Sequence, residues 1–183
     1  EKIDQNTKLI IGVHVFGNPC EINQLKEISN DYNIPLFFDA AHGFGSMYKN
    51  QMIGSFGEVE VFSGSPTKAC STAEGGILTT NNETIVDHVR IGRNYGHRGD
   101  YFCEFPGLSA RMSEFHAAIG LELLKSVPSE VQKRNEIAQQ YKNTLVNIPG
   151  FSFQEITPDS VSTYKDFAII IESDTFGLTR DEL

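Results

Sequence analysis

Lys68 is set among small residues, in the run Ser63-Gly64-Ser65-Pro66-Thr67-Lys68-Ala69-Cys70-Ser71-Thr72-Ala73-Glu74-Gly75-Gly76. The run leaves a β-type segment, Glu58 to Phe62, and its Glu-Gly-Gly turn opens another, Ile77 to Thr80. Few of its sequence neighbours could pair an ammonium. A lysine partly withdrawn from water falls below its usual pKa of about 10.4 and becomes a nucleophile toward carbonyls. A position just past a strand end is also where open α/β sheets bind ligands. The plain alternative is a solvated loop lysine, the ordinary fate of that residue type.

A second group is Asp39-Ala40-Ala41-His42. It closes the apolar run Pro35 to Phe38, which places an acid at a strand's C-terminal end. An Asp there also serves as an ordinary turn cap, and a lone histidine is more often packed or solvated than chemical. A third is Asn94-Tyr95-Gly96-His97-Arg98-Gly99-Asp100-Tyr101, a polar, glycine-punctuated loop of the kind in which ligand contacts concentrate. Two phosphate-binding signatures are excluded. Gly43-Phe44-Gly45-Ser46-Met47-Tyr48 lacks the third glycine of a dinucleotide fingerprint. Gly64-Ser65-Pro66-Thr67-Lys68 lacks the glycine that precedes the lysine of a P-loop.

The elements that must hold these groups follow from periodicity. Lys8 to Phe16 is a β-branched apolar run and reads as a buried strand. Gly17-Asn18-Pro19 is turn chemistry. Glu21 to Asp31 carries Ile22, Leu25 and Ile28 on one helical face. Strand, helix and strand in this order form a βαβ unit, so a parallel sheet is expected. Glu58 to Phe62 is the third strand, and Ile77 to Thr80 its hairpin partner or neighbour. Helices are expected from Asn82 to about Arg93, from Ser109 to Lys125 and from Ser129 to Asn147. Ala117, Ala118 and Gly120 would allow close packing of the second. Phe167 to Ile171 reads as a further strand, and Pro149-Gly150 as a domain boundary.

Composition narrows the class. The net charge of -9 argues against nucleic acid or an anionic membrane as a partner of the bulk surface. No apolar run reaches the roughly 20 residues that span a bilayer. Cys20, Cys70 and Cys103 are odd in number and widely spaced. They read as reduced thiols of a cytoplasmic protein, with neither a disulfide framework nor a metal site expected. The sequon Asn82-Glu83-Thr84 has no secretion signal beside it and is read as chance. Both ends read as cut: Glu1 is no initiator, and Thr179 and Glu182 have the spacing of a helix start with no helix after it. An internal piece of a longer protein is therefore expected.

Taken in order, Asp39-Ala40-Ala41-His42, Ser63 with Lys68 and Glu74-Gly75-Gly76, and Arg93-Asn94-Tyr95-Gly96 resemble the DegT/DnrJ/StrS family of pyridoxal-phosphate sugar aminotransferases. Val13-His14-Val15-Phe16-Gly17 is similar to the family's strand and turn in this region, and Ser109-Ala110-Arg111-Met112-Ser113-Glu114 to its R-M-x-E helix opening. The resemblance implies fold type I: a mixed, mostly parallel sheet flanked by helices. Residues 1–149 would be an incomplete aspartate-aminotransferase-like large domain, and residues 150–183 the start of a small C-terminal α+β domain.

It further implies pyridoxal 5'-phosphate as cofactor, with Lys68 bonding its aldehyde and acting as the proton carrier. Asp39 would pair the pyridinium nitrogen, His42 would stand near the 3-hydroxyl and Ser63 would bind the phosphate. Asn94 would reach the phosphate held by the neighbouring subunit of a homodimer. Each role matches a chemical need: a carboxylate keeps the ring nitrogen protonated, and hydroxyls suit a phosphate. The chain departs from the family in lacking its N-terminal phosphate turn and in carrying Gly64-Ser65-Pro66 where an aromatic is common. The implied reaction moves an amino group, with glutamate the expected donor, to a keto group of a nucleotide-linked sugar. Two other readings stay open: a sugar dehydratase, whose family type carries histidine at the lysine position, and a non-catalytic cofactor-binding regulatory or interaction protein.

Overall fold

The computed structural model describes residues 2–183. In chain order its elements are β1 (Ile10–Val13), α1 (Ile22–Tyr32), β2 (Leu36–Asp39), the two-residue strands β3 (Met47–Tyr48) and β4 (Gln51–Met52), β5 (Val59–Ser63), β6 (Gly76–Thr79), α2 (Glu83–Gly92), α3 (Glu114–Leu124), α4 (Val127–Leu145), β7 (Phe151–Phe153), β8 (Ser160–Val161), β9 (Ile169–Ile171) and α5 (Ser173–Phe176). The main sheet runs β1-β2-β5-β6. Its first three strands are parallel, and β6 turns back antiparallel against β5. This is the mixed, mostly parallel sheet that the sequence implied, flanked by helices.

The βαβ unit forms for local reasons. α1 buries Ile22 completely and ends where Asn33 adopts the left-handed conformation at φ 52, just before Pro35. Gly12 of β1 lets the helix come close: a Cβ there would stand 2.8 Å from Leu25 and 2.6 Å from the Phe38 ring. Ile22, Leu36, Phe38, Ala40, Tyr48, Ile53 and Phe62 make the core behind the sheet. Burial of each larger apolar side chain is worth roughly 1.5–3 kcal/mol. Glu60 lies fully buried beside them, its carboxylate accepting the N–H groups of Gly54, Phe56 and Gly57. Three donors offset much of the desolvation of a buried charge.

The opposite face is open near the C-terminal strand ends. Ile11, Val13 and Val61 are 59%, 46% and 45% exposed, and Asp39 lies on this face with them. α3 is apolar nearly all round yet has no buried residue, with Phe115 at 85% and Leu121 at 67% exposure.

Four elements differ from expectation. The first strand is only Ile10–Val13, because Val15–Gly17 forms a 3-10 turn with Phe16 at φ 55. α3 begins at Glu114, capped by Ser113, because Ser109 forms a β-bridge to Asn94 and holds the segment extended. α4 begins earlier, at Val127, with Pro128 in its first turn, where the missing N–H costs nothing. Thr179 donates through both N–H and Oγ1 to Glu182, the capping spacing read from the sequence, and no helix follows among the described residues. β3, with no counterpart in the sequence reading, pairs with β4 and also with β8, so the chain beyond residue 150 returns to the first part. α2 starts as read, its N-cap Asn82 accepting from Thr84 and Ile85. No helix among the described residues is long and apolar enough to cross a membrane.

Candidate active site

β1, β2 and β5 point the same way, so their C-terminal ends share one edge of the sheet. Asp39 ends β2 in the middle of that edge, registered against Val13 on one side and Val61 on the other. Its backbone carbonyl accepts from His14 N–H at 3.0 Å, and its Oδ1 accepts from Ala41 N–H at 3.0 Å. The second carboxylate oxygen has no protein partner among the described residues. Ser63 ends β5, where its Oγ accepts from Ser65 N–H and donates to Ser65 Oγ, both at 3.3 Å. Two hydroxyls thus stand at the strand end.

Lys68 lies on a loop closed at its neck. Gly64 N–H donates to the Gly75 carbonyl, and Thr72 N–H to the Gly64 carbonyl, both at 2.8 Å. Thr72 Oγ1 adds a bond to the Glu74 carbonyl at 2.9 Å. The neck admits no side chain at Gly64, where a Cβ would meet Thr72 Oγ1 at 2.3 Å. Two contacts hold the loop from outside. Cys70 is buried against Val127 and Val131 of α4. Gly120 of α3 leaves room for Thr72, whose Cγ2 would otherwise stand 2.7 Å from a Cβ. Lys68 itself is half-buried, with no carboxylate at ion-pair distance among the described residues.

His42 is held by two residues from distant parts of the chain. Its Nδ1 accepts the Phe16 N–H at 3.2 Å, and its carbonyl accepts from Thr163 Oγ1 at 2.9 Å. Burial lowers its pKa first, and the charges of Lys68 and Lys165 lower it further, against Asp166 and Asp39. The ring is therefore neutral near pH 7, with its proton on Nε2. A neutral N–H donor, a carboxylate, an amine and two hydroxyls around one strand edge suit a ligand that combines a carbonyl, a basic ring and an anionic tail.

Asn94 lies in a separate cluster. Its Nδ2 donates to the His97 carbonyl at 3.0 Å, and its Oδ1 accepts from Arg111 at 2.9 Å, with the Arg111 guanidinium over the Tyr95 ring. It makes no hydrogen bond to Asp39, His42, Ser63 or Lys68. The sequence reading missed Phe16 and Thr163 at His42, and Thr72 at the loop neck. Only the turn chemistry around Gly17 and Gly75 marked these places. Among the described residues no group of three or more His, Cys, Asp or Glu is placed to hold a metal.

Known proteins resemble this chain in sequence and in fold. The model of the DegT/DnrJ/EryC1/StrS aminotransferase family matches residues 1–183. A dTDP-4-amino-4,6-dideoxy-D-glucose transaminase of Shigella dysenteriae is 32% identical over 183 residues, covering 100% of this chain and 50% of that protein. A GDP-perosamine synthase of Escherichia coli O157:H7 is 36% identical over 154 residues, 81% of this chain and 42% of its own length. The crystal structure of DesV from S. venezuelae superposes with a TM-score of 0.91 at 28% identity, over 98% of this chain and 47% of DesV. The chain spans about half the length of the curated relatives it matches.

Proposed function

The chain belongs to the DegT/DnrJ/EryC1/StrS aminotransferase family, and from that premise we propose that the full-length protein is a pyridoxal 5'-phosphate-dependent aminotransferase acting on a nucleotide-linked sugar. The observation that supports this is that Asp39 and Ser63 end parallel strands, with Lys68 on a braced loop just after Ser63 and near enough, like Asp39, for its charge to act on His42. The donor set fits the cofactor: Asp39 keeps one carboxylate oxygen free for a ring nitrogen, and the Ser63 and Ser65 hydroxyls suit a phosphate. When bound, pyridoxal phosphate supplies an aldehyde for amines and a protonated ring that draws electrons from the adjacent carbon. Asp39 would hold the proton on the ring nitrogen. His42 would offer its Nε2 proton to the ring hydroxyl. Lys68 would hold the aldehyde end of the cofactor, and its amine would move the proton at the reacting carbon.

Glutamate is the proposed amino donor, and the names of the relatives support a keto sugar on a nucleoside diphosphate as acceptor. We propose a homodimer in which Asn94 serves the neighbouring subunit. Its hydrogen bonds to His97 and Arg111 instead of to the other four residues, and the uncovered apolar surface of α3, support this. We place the protein in the cytoplasm, consistent with three free cysteines among the described residues. Residues 1–149 are proposed as part of the large domain and 150–183 as the start of the small one.

The test is an absorbance spectrum of the full-length protein with pyridoxal phosphate, followed by addition of L-glutamate. An aminotransferase shows the lysine-bound cofactor band, loses it to the amine form and releases 2-oxoglutarate. A non-catalytic binder keeps its band unchanged. A dehydratase is disfavoured by Lys68 at the position where that type carries histidine.

A further inference from the structure

Ser162 to Lys165, just beyond β8, is threaded along the residues that flank His42. Thr163 donates through Oγ1 to the His42 carbonyl at 2.9 Å and through its N–H to Ser46 Oγ at 3.2 Å. A Cβ at Gly17 would stand 1.9 Å from Thr163 Oγ1, so the segment leaves no slack there. Lys165 N–H donates to the Phe16 carbonyl at 2.8 Å, and the Phe16 N–H donates to His42 Nδ1 at 3.2 Å. Phe16 thus bridges the backbone of Lys165 to the ring of His42.

The Lys165 side chain is only 15% exposed. Its Nζ lies 3.1 Å from both carboxylate oxygens of Asp166, whose own side chain is 48% exposed. The charge of Lys165 is felt at His42 next after that of Lys68. Holding an ammonium partly out of water is unfavourable unless it is well paired. The pair found here joins neighbours in sequence, and its acid faces solvent, where such pairs contribute about 0–1 kcal/mol. The cation is held by its backbone; its counter-ion is easily exchanged.

We propose that Lys165 is a substrate-binding residue of the aminotransferase site, its ammonium taking an anionic oxygen of a substrate as Asp166 swings to solvent. The recognised chemistry is a carboxylate or phosphate oxygen: a carboxylate of the amino donor or the diphosphate of the nucleotide sugar. This rests on the function proposed above. Lys68 keeps the proton transfer, and Lys165 acts in binding.

Calorimetric titration of the cofactor-loaded full-length protein separates the two sources. One probe is glutarate, which carries the donor's carboxylates without its amine; the others are dTDP, GDP and UDP. Lys165→Gln should weaken one probe class by about tenfold or more, the loss expected for a charge-assisted contact. Lys165→Arg should retain most of the affinity, and Asp166→Asn should bind as well as wild type or better. The cofactor band should stay unchanged in all three variants. A loss confined to glutarate assigns the donor carboxylate, and a loss confined to the nucleotides assigns the diphosphate. Wild-type affinity of Lys165→Gln for every probe overturns the proposal. So does a wild-type protein that binds no probe, or a Lys165→Arg variant as weak as Lys165→Gln. Failure of the aminotransferase reading appears separately, as a wild-type cofactor band that L-glutamate does not convert.

Discussion

The N–H of Phe16 donates to Nδ1 of His42 at 3.2 Å, and the two rings lie 6.2 Å apart and within 9° of parallel. Phe16 sits at φ 55, a conformation costly for a residue with a side chain, so this contact helps hold a strained turn. It exists only while Nδ1 is unprotonated. His42→Asn, whose Oδ1 can take the same N–H, should keep stability near wild type. His42→Ala should lose on the order of 1 kcal/mol and weaken cofactor binding more than the Asn variant does. Denaturant unfolding and cofactor titration of the three proteins check this, and equal values for Ala and wild type would remove the contact from the account. The folded pKa is lowered, so the contribution of this bond is complete above the unfolded value and is lost as pH falls through the folded one.

His14 gives a second, larger pH effect. It is 1% exposed, stacks on Phe38 and accepts the Cys20 N–H on Nδ1, while its Nε2 has no protein partner. Burial, opposed by the charge of Asp39, pushes its pKa down to about 4 from 6.5. The unfolded chain therefore binds the proton first. Stability from this group is full above about 6.5, declines as pH falls and is gone below about 4. The gap corresponds to roughly 3 kcal/mol. His14→Asn keeps an acceptor for Cys20 but has nothing to titrate. Its unfolding free energy should be lower at neutral pH because of the smaller side chain, and flatter than wild type between pH 6.5 and 4. Parallel curves for the two proteins would show that other groups carry the acid dependence.

Much of this site could be read from sequence because its parts are local. Asp39 ends an apolar run, and Lys68 follows a strand end and precedes a glycine turn. What escaped depends on distant partners. Nothing in Val13 to Phe16 says that the strand must stop at Val13; it stops because Phe16 turns its N–H to His42. The extended course of Ser109 to Ser113 comes from pairing with Asn94 and Arg93, not from local preference. β3 and β4 are two residues each, too short for any periodicity. Thr163 bonds the His42 carbonyl and Lys165 the Phe16 carbonyl, both from beyond α4 in the chain, and no local motif marks them.

Residues 1–183 alone should associate and turn over little or no substrate. Ile11, Val13, Val61, Phe115 and Leu121 are all at least 45% exposed, and they lie on the sheet face beside Asp39 and on α3. Apolar surface of that extent marks an interaction site or an aggregation liability. Size-exclusion chromatography of the isolated chain across a concentration series should show self-association that Phe115→Glu with Leu121→Glu reduces. A strictly monomeric wild-type chain, or steady turnover of an amino-sugar substrate by it, contradicts this.

Lys68 is the sharpest test of the site. Its loop is fixed at the neck by Thr72 and Gly64, packed through Cys70 on α4 and braced by α3 at Gly120. The amine at its tip has no ion-pair partner among the described residues and stands near enough to neutral His42 to influence its charge. An amine so placed can bond an aldehyde and then carry a proton. In the full-length protein, Lys68→Ala should abolish covalent attachment. Borohydride treatment should then fail to fix the cofactor to the peptide containing position 68, while noncovalent cofactor binding persists. An amino-sugar substrate should still enter but not leave as product. Loss of the proton carrier alone costs on the order of 10²–10⁴ in rate, and loss of the covalent exchange adds to that. A solvated loop lysine predicts the opposite: unchanged rate and a stability change within about 0.5 kcal/mol. A reduced cofactor adduct mapped to Lys49, Lys125 or Lys165 in the wild-type protein would end the assignment.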